Sequence, residues 1–433
     1  AGFNKECVAL EQTVADIIKK QETTGFQFDL KKAELLLAEL REKMQQAEDE
    51  VHKEFKPRLV DIRQVTPKLK KDSTLSKSGL TPEEYIERLP TNDITPFVRR
   101  KLQDFNLGSR KQVGEYLIEF GWKPKKFTPT GQPIVDETTL GKIEKIPQAK
   151  LIAKYFLYQK RIAQVDSWIK AMDEDGRVHG FVIPNGTITG RMAHRSPNMA
   201  QVPNIHSPYG QECRSCWIVK DGYKLVGIDA SGLELRMLAH YMQNEEYINE
   251  IINGDIHTAN QKAAGLESRD QAKTFIYALI YGAGDAKLGS VVGGNRESGK
   301  RLRRQFLNNN PSFKTLRDRV QRASGKHWLK GIDGRKLLIR TQHAALNTLL
   351  QGGGAIVMKR GLAMLDSLIR LNTFDAKFVA NIHDEWQMEV REDIAENVGA
   401  LAVECIIKAG EHYNLRCPMD GQYKVGDNWS ETH

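Results

Sequence analysis

The sequence predicts an α+β chain whose sheet is assembled from two distant segments. Three observations carry that reading. Residues 29–51 and 151–169 repeat apolar side chains every three or four positions, the seam of long helices. KLVGIDASGLELR at 224–236 and KFVANIHDEWQMEV at 377–390 are apolar runs that each climb to a carboxylate, Asp229 and Asp384. Between those runs, residues 244–342 are largely helical in pattern. Helices, a sheet, a helical insertion and a return to the sheet make a discontinuous sheet domain.

The bulk numbers bound the function. The chain has 433 residues, 40% hydrophobic and 27% charged, enough for two to four domains or subdomains. A formal net charge of +9 points to a polyanionic partner. No apolar run is long enough to span a membrane. Five cysteines at low density imply no disulfide framework, and a reducing compartment is the default. Cys213 and Cys216 form a CxxC, but no second pair and no His at zinc spacing accompany it. The first residues lack the cationic-then-apolar pattern of a secretory signal.

In chain order, Asp29 is a helix N-cap, and Leu30, Ala33, Leu37, Leu40, Met44, Ala47 and Val51 form the first seam. Leu151, Tyr155, Tyr158, Ile162, Val165 and Ile169 form the second. Each helix is about 25 residues, roughly 40 Å long, and the two are expected to pack on one another. PRLVDIRQVTPKLKKDSTLSKSGLTPEE, which opens the segment between them, is dominated by Pro, Ser and Lys and reads as a mobile basic loop. GSRKQVGEYLIEFGW at 108–122 reads as a short helix after a Gly-Ser start. From Gly180, punctuation by Gly, Asn and Pro predicts short strands and ordered loops. From Lys377 a hairpin is predicted, with His383 and Asp384 at its turn.

If both strands share one sheet, Asp229 and Asp384 converge at its edge. Neighbouring carboxylates repel unless cations lie between them. Mg²⁺ suits such a site, because it takes oxygen ligands and few protein carboxylates. Two such ions about 4 Å apart would hold the attacking and leaving oxygens of an in-line phosphoryl displacement. Either Asp alone would be read as a cap or turn residue. The pair gains force from SRDQAKTFIYALIYGAGD at 268–285, where Arg269, Lys273, Tyr277 and Tyr281 recur every four residues on one helix face. Two cations followed by aromatics can hold a triphosphate and then stack a base or sugar. Taken alone, that helix would be a solvated basic face with core tyrosines. His257 offers a further donor just upstream. GNRESGKR at 294–301 nearly matches a phosphate-binding loop, but Arg301 stands where the metal-binding hydroxyl belongs and no strand precedes it.

DASGLELR (229–236), RDQAKTFIYALIYG (269–282) and IHDE (382–385) resemble motifs A, B and C of the family A DNA polymerases, including the T7-like phage replicative enzymes. TGRMAHRSPNMAQVP, SPYGQECR, NGDIHT and HAALNTLLQ extend the likeness over most of residues 180–433. The resemblance implies a right-hand architecture with a helical thumb (1–170, with a basic insertion at about 56–95), an antiparallel-sheet palm (171–240 and 345–433) and helical fingers (241–344). It implies template-directed, primer-dependent DNA synthesis from dNTPs. Two Mg²⁺ ions, replaceable by Mn²⁺, would be ligated by Asp229, Asp384 and the Ala230 carbonyl. Arg269, Lys273 and His257 would contact the triphosphate, with Lys273 also donating a proton to the leaving pyrophosphate. Tyr277 and Tyr281 would lie against the sugar and the template-side stack. Glu234 would close the space beside the sugar's 2′ position and hydrogen-bond to Tyr277. Arg191, Asn347 and Gln351 would touch the primer–template minor groove, and His383 would orient the primer end or the surroundings of Asp384. Glu385 would be an acidic neighbour rather than a ligand. Gly352, Gly353 and Gly354 leave two readings open, close approach of the helix to its neighbours or loose packing.

The chain also departs from the pattern. No 3′–5′ exonuclease is expected in these residues. At the place of the thioredoxin-capturing insertion of T7-type enzymes stands a shorter segment of different composition, so thioredoxin dependence is not expected. That segment would instead grip duplex phosphates. Whether a replisome helicase or primase joins the enzyme is left open. The expected location is the cytoplasm of a bacterial host, if the chain is phage-encoded. A single-subunit RNA polymerase shares the palm plan, but Glu234 would obstruct a 2′-OH. A non-catalytic DNA-binding or processivity protein has no need of Asp229 and Asp384. A metal hydrolase built on His383 and Asp384 lacks further ligands.

Overall fold

The computed structural model describes residues 4–432. The chain divides into two compact units, Leu37–Gln164 and the residues on either side of it.

In Leu37–Gln164, the helices Leu30–Glu54 and Pro147–Ala171 contribute to one core. Ala47, Val51 and Phe55 from the first end meet Ala149, Ile152, Tyr155 and Phe156 from the second through a filling of Phe105, Leu107, Val113, Tyr116 and Leu117. Phe55 and Phe105 stand edge to face, centroids 4.9 Å apart. Val113, Tyr116 and Leu117 come from the helix Arg110–Glu119, which Ser109 caps as its Gly-Ser start predicts.

The stretch read as a mobile basic loop is ordered. Strand Arg58–Val65 pairs antiparallel with Phe97–Gln103, and helix Pro82–Arg88 lies between them in sequence. Thr81 and Glu84 form a reciprocal capping box, with Pro82 in the first turn. Several arginines of this stretch are paired locally: Arg99 with Glu84, Arg88 with Asp93, and Arg58 with Glu115 and Glu119. The Arg88 guanidinium also lies 4.2 Å from the Phe97 ring centroid. Composition alone hid a capping signal that Thr81-Pro82-Glu83-Glu84 carries plainly.

The other unit begins with helix Lys5–Thr24, capped by Asn4, ahead of the first element the sequence reading picked out. Its buried stripe of Cys7, Leu10, Val14, Ile17 and Ile18 packs on helix Ala345–Leu371 and strand Ala376–Ile382. The central sheet has four antiparallel strands in the order Ala376–Ile382, Glu385–Arg391, Tyr223–Ala230, Gly421–Gly426. The two carboxylate-bearing segments thus share one sheet, and Asp229 lies opposite Glu385 on one side and Gln422 on the other. Helices fill the insertion 244–342 except at its end, where Trp328–Lys330 pairs with Lys336–Leu338 across an Asp333-Gly334 turn. Gly334 has φ +85°, the left-handed region such a turn needs.

The three glycines of helix Ala345–Leu371 serve close approach. A side chain would stand 2.8 Å from Leu337 at Gly352, 2.4 Å from Met237 at Gly353 and 3.0 Å from Leu233 at Gly354. All five cysteines are buried, and none is joined in a disulfide. Among the described residues no helix is long and apolar enough to cross a membrane.

Candidate active site

Strand Tyr223–Ala230 runs buried through Leu225, Val226, Gly227 and Ile228, then reaches half-buried Asp229 at its end. The backbone N–H of Ala230 donates to the Asp384 carbonyl at 3.1 Å. That bond docks the hairpin turn holding Asp384 onto the strand end holding Asp229. His383, at the same turn, has φ +57°, which a sharp reversal between two buried strands requires. Burial pushes the Asp384 carboxyl up, while Arg191 pulls it down. A carboxylate desolvated in this way regains its charge most readily beside a cation.

Glu385 belongs to a different constellation. Its Oε1 accepts from Trp429 Nε1 at 2.7 Å and from Gln387 Nε2 at 2.6 Å, with an Arg214 nitrogen 3.8 Å away. Gln387 in turn accepts from Thr432 at 2.9 Å, and the Arg214 guanidinium stacks 4.4 Å from the Trp429 ring centroid.

Glu234 sits in the first turn of helix Leu233–Met242, 9% exposed. It accepts from Arg191 at 3.1 Å and from the Tyr281 hydroxyl at 2.7 Å. The sequence reading paired it with Tyr277 instead. Tyr281 caps the end of helix Arg269–Ile280, where the last turn swings its ring to the Glu234 side, 6.2 Å from the Tyr277 ring centroid. Tyr277 is nonetheless placed here: burial raises its hydroxyl, and the carboxylates of Glu234 and Asp384 raise it further. Asp229, Ala230, Asp384, His383, Arg191, Glu234, Tyr277 and Tyr281 therefore gather at one end of the sheet.

Arg269, Lys273 and His257 form a second group toward the other end of that helix. Arg269 pairs with Asp255 at 2.7 Å. Asp255 also caps helix Ile256–Ala264 by accepting from the His257 N–H at 3.0 Å, and it accepts from the Thr258 hydroxyl at 2.8 Å. These donors, Arg269 foremost, hold the Asp255 carboxyl well below the usual range. Burial and the two cations Arg269 and Lys273 lower the His257 imidazole, whose buried Nδ1 has no hydrogen-bond partner. Asn347 and Gln351 stand one turn apart on helix Ala345–Leu371, both half-buried, and the Asn347 Oδ1 is buried without a partner.

The sequence reading missed four participants. Asp255 is the counter-ion of Arg269, and its helix-capping position in NGDIHT was a usable signal. Arg214 and Trp429 anchor Glu385 from far along the chain, which no local pattern announces. His194, beside His383, is half-buried with its ring nitrogens shielded from solvent, and burial followed by His383 pushes its pKa down to about 4.

The donor set fits a hard divalent cation: Asp229, Asp384 and a backbone carbonyl offer only oxygen. Among the described residues no group of three or more His, Cys, Asp or Glu is placed to hold a metal, so any such ion would draw on the carbonyl, water and substrate as well.

A family model for DNA polymerase family A matches residues 84–431. The DNA-directed DNA polymerase of Enterobacteria phage T3 is 38% identical, over 99% of this chain and 70% of the phage enzyme. That of Escherichia phage T7 is 37% identical with the same coverage. The aligned span of 499 positions exceeds the 433 residues here, so both relatives carry insertions within it. The POL domain of Pol1 from M. smegmatis, in complex with DNA primer-template and dNTP, superposes with a TM-score of 0.80 at 20% identity, over 97% of this chain and 70% of that one. The motifs, the shared sheet and these matches agree, and the chain belongs to DNA polymerase family A.

Proposed function

We propose that this chain copies a DNA template by adding dNTPs to a primer 3′-OH, at the sheet edge where Asp229 and Asp384 meet. The observation that carries the reading is the Ala230–Asp384 backbone bond, which puts two sequence-distant carboxylates at one strand end. Asp229, Asp384 and the Ala230 carbonyl would hold two Mg²⁺ ions, or Mn²⁺ in their place. When bound, these ions supply acidity to the primer hydroxyl and neutralise the pyrophosphate.

The chain's own residues do the remaining work. Arg269, Lys273 and His257 bind the triphosphate, and Lys273 gives the leaving pyrophosphate its proton. Arg269 first leaves Asp255, a cheap exchange because solvent screens an exposed ion pair. Closure of the helical insertion delivers these cations only when the base pair fits. Tyr277 and Tyr281 pack against the sugar and the template-side stack. Glu234, fixed by two donors, walls off the 2′ position. Arg191, Asn347 and Gln351 donate to minor-groove acceptors N3 and O2, which are nearly alike for all base pairs and so check pair shape without reading sequence. His383 orients the primer end. Primer–template DNA and dNTPs are the partners.

Asp384→Asn tests the assignment. Primer extension should vanish while DNA affinity stays within a few-fold, and persistent extension would remove the aspartates from the chemistry. An RNA-synthesising alternative is disfavoured by the double anchoring of Glu234. Efficient unprimed use of rNTPs would restore it.

A further inference from the structure

Four charged side chains away from the aspartates form a closed knot. Lys359, 3% exposed on helix Ala345–Leu371, donates to both Glu11 oxygens at 2.9 and 2.7 Å and to Asn185 Oδ1 at 2.7 Å. An ammonium has three N–H bonds, and here each has an acceptor. Arg335, 6% exposed, donates to Glu11 at 2.5 Å and to Asp333 at 2.8 Å. Two cations face two anions, so burial leaves no net charge. Asn4 and Cys7 donate to the Asp333 carbonyl at 2.8 and 3.1 Å, which ties the first helix to the Asp333-Gly334 hairpin.

Asn185 differs from the other members. It is exposed, and it sits in the turn that leads from strand Phe181–Ile183 to Arg191. Gly190 closes that turn with φ +76°, and a side chain there would lie 3.6 Å from Asn185 Oδ1 and 3.8 Å from Arg335. The Thr187 hydroxyl donates to the Arg191 carbonyl at 3.1 Å. Lys359, Arg191, Asn381 and His383 line one small cavity. A rigid buried charge is thus bonded, through one exposed amide, to the turn that carries Arg191.

We infer that Lys359, acting through Asn185, is a positioning residue that fixes this turn and aims Arg191 at the primer–template minor groove. The inference rests on the reading that Arg191 makes that contact. A guanidinium on a long flexible stem checks base-pair shape only if its backbone is held, since misplacement by about 1 Å forfeits much of an oriented interaction. Glu234 steadies the tip of Arg191, and the Lys359–Asn185 bond steadies its root.

The test compares single-turnover extension of a primer ending in guanine with one ending in 3-deazaguanine, whose C–H replaces the N3 acceptor. Wild type should extend the natural end roughly tenfold or more faster, the worth of a hydrogen bond from a charged donor. Arg191→Ala should bring that ratio near one. Asn185→Ala should take it most of the way to one while circular dichroism shows the fold retained at the assay temperature. Asn185→Asp, which keeps an oxygen for Lys359, should restore it. Lys359 is left intact because its removal would strand Glu11 and Arg335. A full wild-type ratio in Asn185→Ala overturns the inference, as does loss of the ratio in Asn185→Asp. A wild-type ratio of one, or a full ratio in Arg191→Ala, defeats the Arg191 reading itself and the inference with it.

Discussion

Glu234 accepts hydrogen bonds from Arg191 and Tyr281, residues 43 positions upstream and 47 downstream, and so joins the strand-rich segment to the helical insertion. On the proposed reading that Glu234 walls off the 2′ position, Glu234→Ala opens that space and frees both donors. The preference for dNTPs over rNTPs should fall by about tenfold or more, read from the ratio of kcat/KM values. His194 makes a separate prediction. Its folded pKa, pushed down to about 4, lies below the ordinary imidazole value of 6.5, so the folded protein holds the ring neutral. Its contribution to stability is present above pH 6.5 and is lost as pH falls toward 4, because the unfolded chain takes up the proton first. Denaturant unfolding across that window should show a flatter acid loss in His194→Leu than in wild type. Residue identity gave the candidates at this scale; which hydroxyl met Glu234 depended on how one helix ended.

Strand Tyr223–Ala230 is flanked on both edges, and Gly227 at its middle has no room to grow. A side chain there would come 2.3 Å from the Thr432 carbonyl and 2.6 Å from Gln387. Gly227→Ala should therefore cost about 1–3 kcal/mol by overpacking, measured by urea unfolding. It should also loosen the segment bearing Trp429 and Thr432, seen as faster amide exchange there. In the other unit, the capping box makes Pro82–Arg88 a helix. Thr81→Ala should lower the local stability of that helix by about 1 kcal/mol in native-state hydrogen exchange. Periodicity made the long helices and both carboxylate-tipped strands legible. The hairpin Arg58–Val65/Phe97–Gln103 was not, because most of its side chains are exposed and offer no alternation. Helix Lys5–Thr24 did carry a 3–4 spacing, which the reading passed over.

At the scale of the whole molecule, the net charge of +9 is the excess of cations left when every carboxylate is set against one. Much of the Arg content of the 56–103 segment is bonded to neighbouring carboxylates, so these arginines are less available to DNA than unpaired cations elsewhere. Primer–template affinity should still fall steeply with salt, by about 10³–10⁵ between 50 and 200 mM if six to ten phosphates are contacted. Asp384→Asn should leave that slope unchanged, because a phosphate-binding surface and the carboxylates proposed to hold the metal ions would act independently. A slope near zero, measured by fluorescence anisotropy, would show that the basic residues are spent on internal pairs.

The sequence by itself determined the two carboxylate-tipped strands, the long helices, the four-residue rhythm of Arg269, Lys273, Tyr277 and Tyr281, and the family they announce. Those features are written in neighbouring residues, where backbone geometry fixes the period. Only the tertiary structure decided that Asp384 docks on the end of the Asp229 strand, that Tyr281 rather than Tyr277 bonds Glu234, and that Lys359 reaches Asn185. Such pairings join residues tens to hundreds of positions apart. They depend on placement to within about an ångström, because a hydrogen bond fails beyond roughly 3.5 Å, and no local pattern carries that precision.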